Sequence, residues 1–219
     1  MIKKILAGGM IILNLASPIC AKIYNPGLET KMEQKYNVDL IGNFSDREIG
    51  KISNVMKNIG EKIDRKKNGI EKIAIENVGS QDERLWDEDD YASATIDTET
   101  NTILMSTAAI NGKPFDRNPL ADYEGLLGHE TGHLIYPKYA DEIFDKFWDF
   151  NIKMNRYKES KIPDGYVTAH PMERPFFGRA NEDFADIFSY WINGRSYANK
   201  DEIVQKKLEK IKGYLGARK

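Results

Sequence analysis

Two of the three histidines in this chain lie four residues apart, in the run His129-Glu130-Thr131-Gly132-His133. Residues four apart lie on one face of an α-helix, so both imidazoles can bind the same metal ion. Glu130 lies close enough to polarise a metal-bound water molecule and then to shuttle its proton. Chance would produce this HExxH pattern in about 1 of 300 chains of this composition. The pattern therefore predicts a zinc site, and the alternative is two ordinary histidines on a helix.

A catalytic zinc ion takes a third protein ligand and keeps its fourth position for water. Glu182 is the strongest candidate, because the apolar residues after it recur at helical spacing and Asp186 lies one turn away on the same side. The apolar residues are Phe184, Ile187, Phe188 and Trp191. We expect Glu182 to bind zinc and Asp186 to orient a liganding histidine through a hydrogen bond. The alternative for both acids is a solvated helix face.

The two segments together resemble the gluzincin zinc peptidases, the family of thermolysin, in which HExxH is followed by Asn-Glu-x-x-x-Asp. The details are more similar to the small secreted bacterial enzymes around the Pro-Pro endopeptidases and the catalytic domain of anthrax lethal factor. There a Glu-x-Phe-Ala-Glu/Asp-x-Phe run carries the third ligand, and here residues 182–188 are similar. The resemblance covers residues 119–136 and 166–194, and it implies a zincin-like fold and peptide-bond hydrolysis.

The sequence departs from that group at the residue that stabilises the oxyanion. The group has a tyrosine shortly before the ligand glutamate, whereas this chain has Pro175 seven residues before Glu182. Four nearby residues can donate a hydrogen bond to the developing charge instead. They are His170, Tyr166, Arg174 and Arg179, and for each the alternative is an ordinary loop residue. We expect residues 160–180 to form a long loop beside the site that contacts substrate.

The elements that position these motifs follow from hydrophobic periodicity. Ser45 and Glu48 form a capping-box pattern ahead of apolar residues at helical spacing, which predicts a helix over 46–66. Alternation predicts a strand over 70–78, and residues 91–96 and 102–106 a hairpin. The strand 102–106, with Ile103, Leu104 and Met105, can offer an open edge to an extended peptide. The alternative is an interior strand with both neighbours in place.

Further helices are predicted before and after the loop at residues 160–180. No helix is predicted before residue 44. Asn118 and Pro119 predict the start of the HExxH helix. Its three glycines each cost about 1 kcal/mol in helix propensity, so we expect a close backbone contact there. They are Gly125, Gly128 and Gly132. Residues 138–158 and 203–215 are predicted to be helical, and residues 22–43 a polar lead-in.

The amino terminus has the layout of a secretory signal peptide. Lys3 and Lys4 precede an apolar run that ends in Ile19-Cys20-Ala21, so we expect cleavage after Ala21. The run is too short to span a bilayer, which argues against an anchor. The alternative of a lipid-modified Cys20 is disfavoured by the bulky Ile19. The formal net charge of −2 argues against a nucleic-acid binder.

These observations predict an α+β protein: a single zincin-like domain over 22–219 with a small twisted sheet, an active-site helix and a mostly helical C-terminal half. We expect a secreted or periplasmic, monomeric zinc endopeptidase that acts on a protein or peptide and has no stable membrane association. One alternative is a non-enzymatic zinc-binding protein, in which His170 as fourth ligand closes the site. Another is a zinc exopeptidase.

Overall fold

The computed structural model describes residues 25–79, 82–87, 90–91, 94–106, 122–141, 176–194 and 202–216. Within them the chain is α+β, as predicted, with a small mixed sheet and mostly helical structure elsewhere. The described helices are α1 (Pro26–Tyr36), α2 (Asp46–Lys62), α3 (Tyr123–Ile135), α4 (Phe176–Ile192) and α5 (Glu202–Leu215). The described strands are β1 (Val38–Ile41), β2 (Ile73–Val78), β3 (Trp86–Asp87), β4 (Asp90–Tyr91), β5 (Ala94–Asp97) and β6 (Thr102–Ser106).

Four of these strands form the main sheet, in the order β1-β2-β6-β5. The strands β1, β2 and β6 run parallel, and Ile75 lies opposite both Leu40 and Ile103. The strand β5 runs antiparallel to β6, which confirms the predicted hairpin. The strands β3 and β4 pair with each other in a separate two-stranded sheet.

The expectation of an open edge at strand 102–106 is wrong. The strand β6 pairs with β2 on one side and with β5 on the other, so it lies inside the sheet. Its side chains Ile103, Leu104 and Met105 are all buried. The interior position follows from the hydrogen bonds of β6 to a strand on each side, while the buried apolar run shows only that both faces of the strand are covered. Among the described strands of this sheet, β1 and β5 are the edges.

The helix predicted over 46–66 is confirmed as α2, which ends four residues earlier, at Lys62. Ser45 Oγ accepts a hydrogen bond from the Glu48 amide (3.4 Å), and Glu48 Oε2 accepts one from the Ser45 amide (2.5 Å). This reciprocal cap satisfies two backbone donors at the start of the helix. The buried face of α2 joins one apolar cluster with β1, β2 and β6. Its buried apolar residues are Ile49, Ile52, Val55, Met56 and Ile59.

Residues 22–43, predicted as a polar lead-in, hold a helix and a strand in their described part. The helix α1 starts after Asn25, whose side chain accepts a hydrogen bond from the Gly27 amide (3.1 Å). Met32 is the only residue of α1 that is buried, so this helix has little hydrophobic periodicity. The strand β1 is four residues long. Signals this short and weak explain why both elements escape prediction.

The HExxH helix begins later than predicted. Asp122 is the N-cap of α3, and its Oδ1 accepts a hydrogen bond from the Gly125 amide (2.7 Å). The predicted start at Asn118 and Pro119 is therefore wrong for this helix, and both residues lie outside the described ranges. An aspartate whose side chain caps the amide three residues later is as strong a helix-start signal as Asn-Pro, and here the helix begins directly after it.

The remaining predicted elements are tested only in part. The helix predicted over 203–215 is confirmed as α5. Tyr136–Tyr139 forms a 3-10 turn after α3, and most of the helix predicted over 138–158 lies outside the described residues. The predicted loop 160–180 also lies outside them, except that α4 already begins at Phe176. None of the helices of the described residues is long and apolar enough to cross a membrane.

Candidate metal centre

Three side chains from two helices converge at one buried point. His129 and His133 lie one turn apart on α3, and Glu182 lies near the start of α4. The two Nε2 atoms are 2.9 Å apart, and Glu182 Oε2 lies 3.2 Å from His129 Nε2 and 3.4 Å from His133 Nε2. All three residues are buried. This His-His-Glu group could hold a metal ion.

The orientation of both imidazole rings is fixed by hydrogen bonds on their far sides. His129 Nδ1 lies 2.9 Å from Asp186 Oδ1, and His133 Nδ1 lies 2.8 Å from Asn181 Oδ1. A carboxylate oxygen and an amide oxygen only accept hydrogen bonds, so each Nδ1 carries the proton and donates it. When the rings are neutral, both Nε2 atoms therefore present lone pairs to the centre, which is the arrangement that a metal-binding histidine needs.

The charges around the histidines favour a cation at this point. Burial alone lowers the pKa of His129, but its hydrogen bonds to Asp186 and Glu182 outweigh burial and hold that pKa well above its usual value. Burial also opposes protonation of His133, and the negative charge of Glu182 more than compensates, so its pKa is raised as well. Burial raises the pKa of Glu182, yet the two histidines bring it far below the usual range. The centre stabilises positive charge, whether a proton or a metal ion supplies it.

The distances between the three ligand atoms fit a metal ion. Zinc–nitrogen and zinc–oxygen bonds of about 2.0–2.2 Å in tetrahedral geometry place neighbouring ligand atoms about 3.3–3.6 Å apart. The observed separation of 3.4 Å lies in that range, and those of 3.2 and 2.9 Å are shorter, so small side-chain adjustments would admit the ion. Two imidazole nitrogens and one carboxylate oxygen are also a donor set that binds divalent transition metals.

The two ligand-bearing helices approach each other where α3 has glycine. A Cβ atom placed on Gly132 would lie 2.7 Å from the Ala185 Cα, closer than real Cβ contacts allow. One on Gly128 would lie 3.0 Å from Ser189 Oγ. The close backbone contact predicted for these two glycines is confirmed. It brings α4 near enough for Glu182 to reach the histidines.

Hydrogen bonds from α4 to carbonyl groups of α3 reinforce this contact. Ser189 Oγ donates to the Gly125 carbonyl (2.6 Å), and Asn193 Nδ2 donates to the Glu124 carbonyl (2.9 Å). At the same C-terminal end of α4, Lys62 Nζ donates to the carbonyls of Trp191 and Ile192. These contacts hold the last turn of α4, and the hydrogen bonds of Asn181 and Asp186 to the two histidines hold the turns that flank Glu182.

Glu130 directly follows His129 on α3 and is buried. Its negative charge is the smallest of the causes that raise the pKa of His133. The geometry brings together His129, His133 and Glu182, with Asp186 hydrogen-bonded to His129.

The residues predicted to stabilise an oxyanion are not tested. His170, Tyr166 and Arg174 lie outside the described residues. Arg179 belongs to the first turn of α4, and its side chain is outside the described set. The signal peptide predicted over 1–21 also lies outside the described residues.

Sequence reasoning assigned no role to three residues that position the centre. Asn181 orients His133, and Ser189 and Asn193 hold α4 on α3. A signal was present, because Glu182, Asp186, Ser189 and Asn193 follow one another at intervals of four, three and four. That spacing marks a polar stripe along one side of the helix and predicts a buried polar contact along it.

No family model, no curated protein and no solved structure matches this chain. The fold and the site therefore define the class by themselves: an α+β protein with a buried His-His-Glu group on two helices that could hold a metal ion.

Proposed function

We propose that the protein is an exported zinc-dependent endopeptidase with a gluzincin-type centre in a zincin-like fold. The observation that carries this proposal is the buried triangle of His129 Nε2, His133 Nε2 and Glu182 Oε2, on a helix that also carries the buried Glu130. The three ligands found among the described residues would leave one metal position for water, which distinguishes a catalytic from a structural zinc site. The signal-peptide layout at residues 1–21 supports export.

The roles of the side chains follow from their positions. His129, His133 and Glu182 hold the metal, while Asp186 and Asn181 keep the two rings in the orientation that binding needs. Zinc, when bound, supplies a Lewis acid that polarises a peptide carbonyl and acidifies water. Glu130 takes the proton from the attacking water and delivers it to the nitrogen of the departing amine.

The strand that would receive the peptide is β5 rather than β6. Within the described residues β5 pairs only with β6, and it also contacts the HExxH helix α3. An extended substrate that added to this edge through main-chain hydrogen bonds would run beside the helix that carries the metal ligands. We therefore propose that the substrate binds along strand β5, Ala94–Asp97.

The test is a peptide-library digest with the mature, zinc-loaded protein, read by mass spectrometry. We expect internal cleavage by the wild type and none by Glu130→Gln, with a loss of at least 1,000-fold in kcat/KM, because that variant binds zinc but cannot accept the proton. Zinc content measured on both proteins is the control. Full zinc occupancy without cleavage by the wild type would favour the non-enzymatic binding protein. Cleavage only at free termini would favour an exopeptidase. Peptides with blocked ends separate this activity from that of an endopeptidase, because only an endopeptidase cleaves them.

A further inference from the structure

A lysine occupies the apolar face of the C-terminal helix. Lys207 is 1% exposed on α5, although it lies on the side that packs against the rest of the protein. The residues that share this side are Val204, Ile211 and Leu215, and all three are buried. Helical spacing assigns an apolar residue to that position, and lysine is almost never fully buried unless it is paired.

The partner of Lys207 is a carboxylate next to the third metal ligand. Lys207 Nζ donates to Asp183 Oδ2, and Asp183 is 5% exposed. Asp183 directly follows Glu182 on α4, so the ion pair lies one residue from the proposed zinc centre. A buried pair of this kind seldom adds net stability over two apolar side chains, but in some proteins it fixes one arrangement of the packed elements.

The pair and the metal site lie on different sides of α4. Successive residues on an α-helix point about 100° apart, so Glu182 and Asp183 cannot face the same neighbour. Glu182 faces the histidines of α3, and Asp183 faces Lys207 of α5. The two adjacent buried carboxylates therefore have different partners: Glu182 contacts the histidines, and Asp183 contacts Lys207.

We propose that Lys207 is a positioning residue for the metal centre. By binding Asp183 it holds α4 on α5, and this contact adds to those of α4 with α3 in keeping the rotation at which Glu182 faces His129 and His133. This inference rests on the proposed function, since it concerns the same metal site. Without the lysine, Asp183 loses this buried ion pair, and the turn of α4 that carries Glu182 loses its contact with α5.

The test compares zinc affinity and cobalt(II) absorption across variants of the full mature chain. We expect Lys207→Met to lower zinc affinity by about tenfold or more and to alter the visible cobalt spectrum, because the ligand geometry is no longer fixed. Lys207→Arg keeps the charge and should restore both. The matched control is Lys206→Met, one residue away on the exposed side and 48% exposed, which should leave both unchanged.

A double variant separates positioning from folding. Asp183→Leu with Lys207→Met replaces the pair by apolar side chains, so the protein should fold even where Lys207→Met alone does not. We expect it to unfold at a temperature near the wild type, yet to bind zinc about tenfold less tightly. Wild-type zinc affinity and a wild-type cobalt spectrum in the folded double variant would overturn the inference. Absence of metal binding in the wild type would instead overturn the proposed function, and the inference with it.

Discussion

The helices α2 and α3 both pack into the interior, but α2 does so through large side chains and α3 through glycines. The buried face of α2 is lined by large aliphatic side chains such as Ile52 and Ile59. The contact of α3 with α4 is made by Gly128 and Gly132 against Ser189 and Ala185. Large side chains supply free energy through the area they bury, whereas small ones set the distance between two backbones. The first region therefore determines stability, and the second determines where the ligands lie.

The largest effect on stability is expected in the aliphatic region. Ile52→Ala should lower the free energy of unfolding by about 2–5 kcal/mol, because Ile52 is fully buried in the main apolar cluster. The zinc affinity of the folded variant should stay within about twofold of the wild type, since no metal ligand lies on α2. Urea unfolding and a zinc titration measure the two quantities. The milder Ile52→Val should cost about 0.5–1.5 kcal/mol, and a tenfold loss of zinc affinity in either variant would break the distinction between the regions.

A smaller loss of stability and a larger loss of metal binding are expected at the glycine contact. Gly132→Ala places a methyl group against the Ala185 backbone, so the helices must separate at a cost of about 1–3 kcal/mol. Because Glu182 lies one turn before Ala185, zinc affinity should fall by about tenfold.

The matched control lies on α2. A Cβ atom on Gly60 meets no described atom within 4 Å, so Gly60→Ala should stabilise the protein by about 0.4–1 kcal/mol and leave zinc binding unchanged. Equal effects of the two substitutions, by calorimetry and zinc titration, would contradict the account given for Gly132.

The smallest expected effects are those of pH. Rising pH should lower the stability of the metal-free protein and should raise the apparent affinity for zinc. In the metal-free protein the raised pKa values of His129 and His133 contribute stability that is fully present below about pH 6.5 and is lost as the pH rises through those values. Zinc needs neutral imidazoles, so its apparent affinity should increase about tenfold per pH unit for each proton that binding releases.

Thermal unfolding between pH 5 and pH 8, with zinc and with a chelator, tests both directions. The increase in melting temperature on zinc addition should grow with pH. The variant Asp186→Asn removes one cause of the raised pKa of His129, so its metal-free melting temperature should vary less with pH than that of the wild type. A metal-free stability that is flat across this range would show that the histidines do not titrate as described.

The metal ligands were predictable because their chemistry leaves a local signature. The HExxH spacing and the polar stripe of α4 each lie within one helix, and a helical period places their side chains. The order of the strands was not predictable in the same way, since pairing joins segments far apart in sequence and β6 has the same pattern at an edge or inside. The helix α1 left little signal because Met32 alone is buried in it. The pair of Lys207 with Asp183 was invisible, as a lysine in an amphipathic helix normally lies in solvent.

The two helices that supply the ligands are far apart along the chain. The hydrogen bonds that orient His133 and His129 span 48 and 57 residues. A metal ion bound by both helices would act as a covalent-like cross-link, closing a loop of about 50 residues in a chain whose single cysteine permits no internal disulfide. By the loop-entropy relation used for cross-links, such a closure is worth about 4 kcal/mol against the unfolded chain. Removal of the metal would then raise the number of conformations open to the unfolded chain, and so lower the stability of the folded protein, as well as stop any chemistry at the centre.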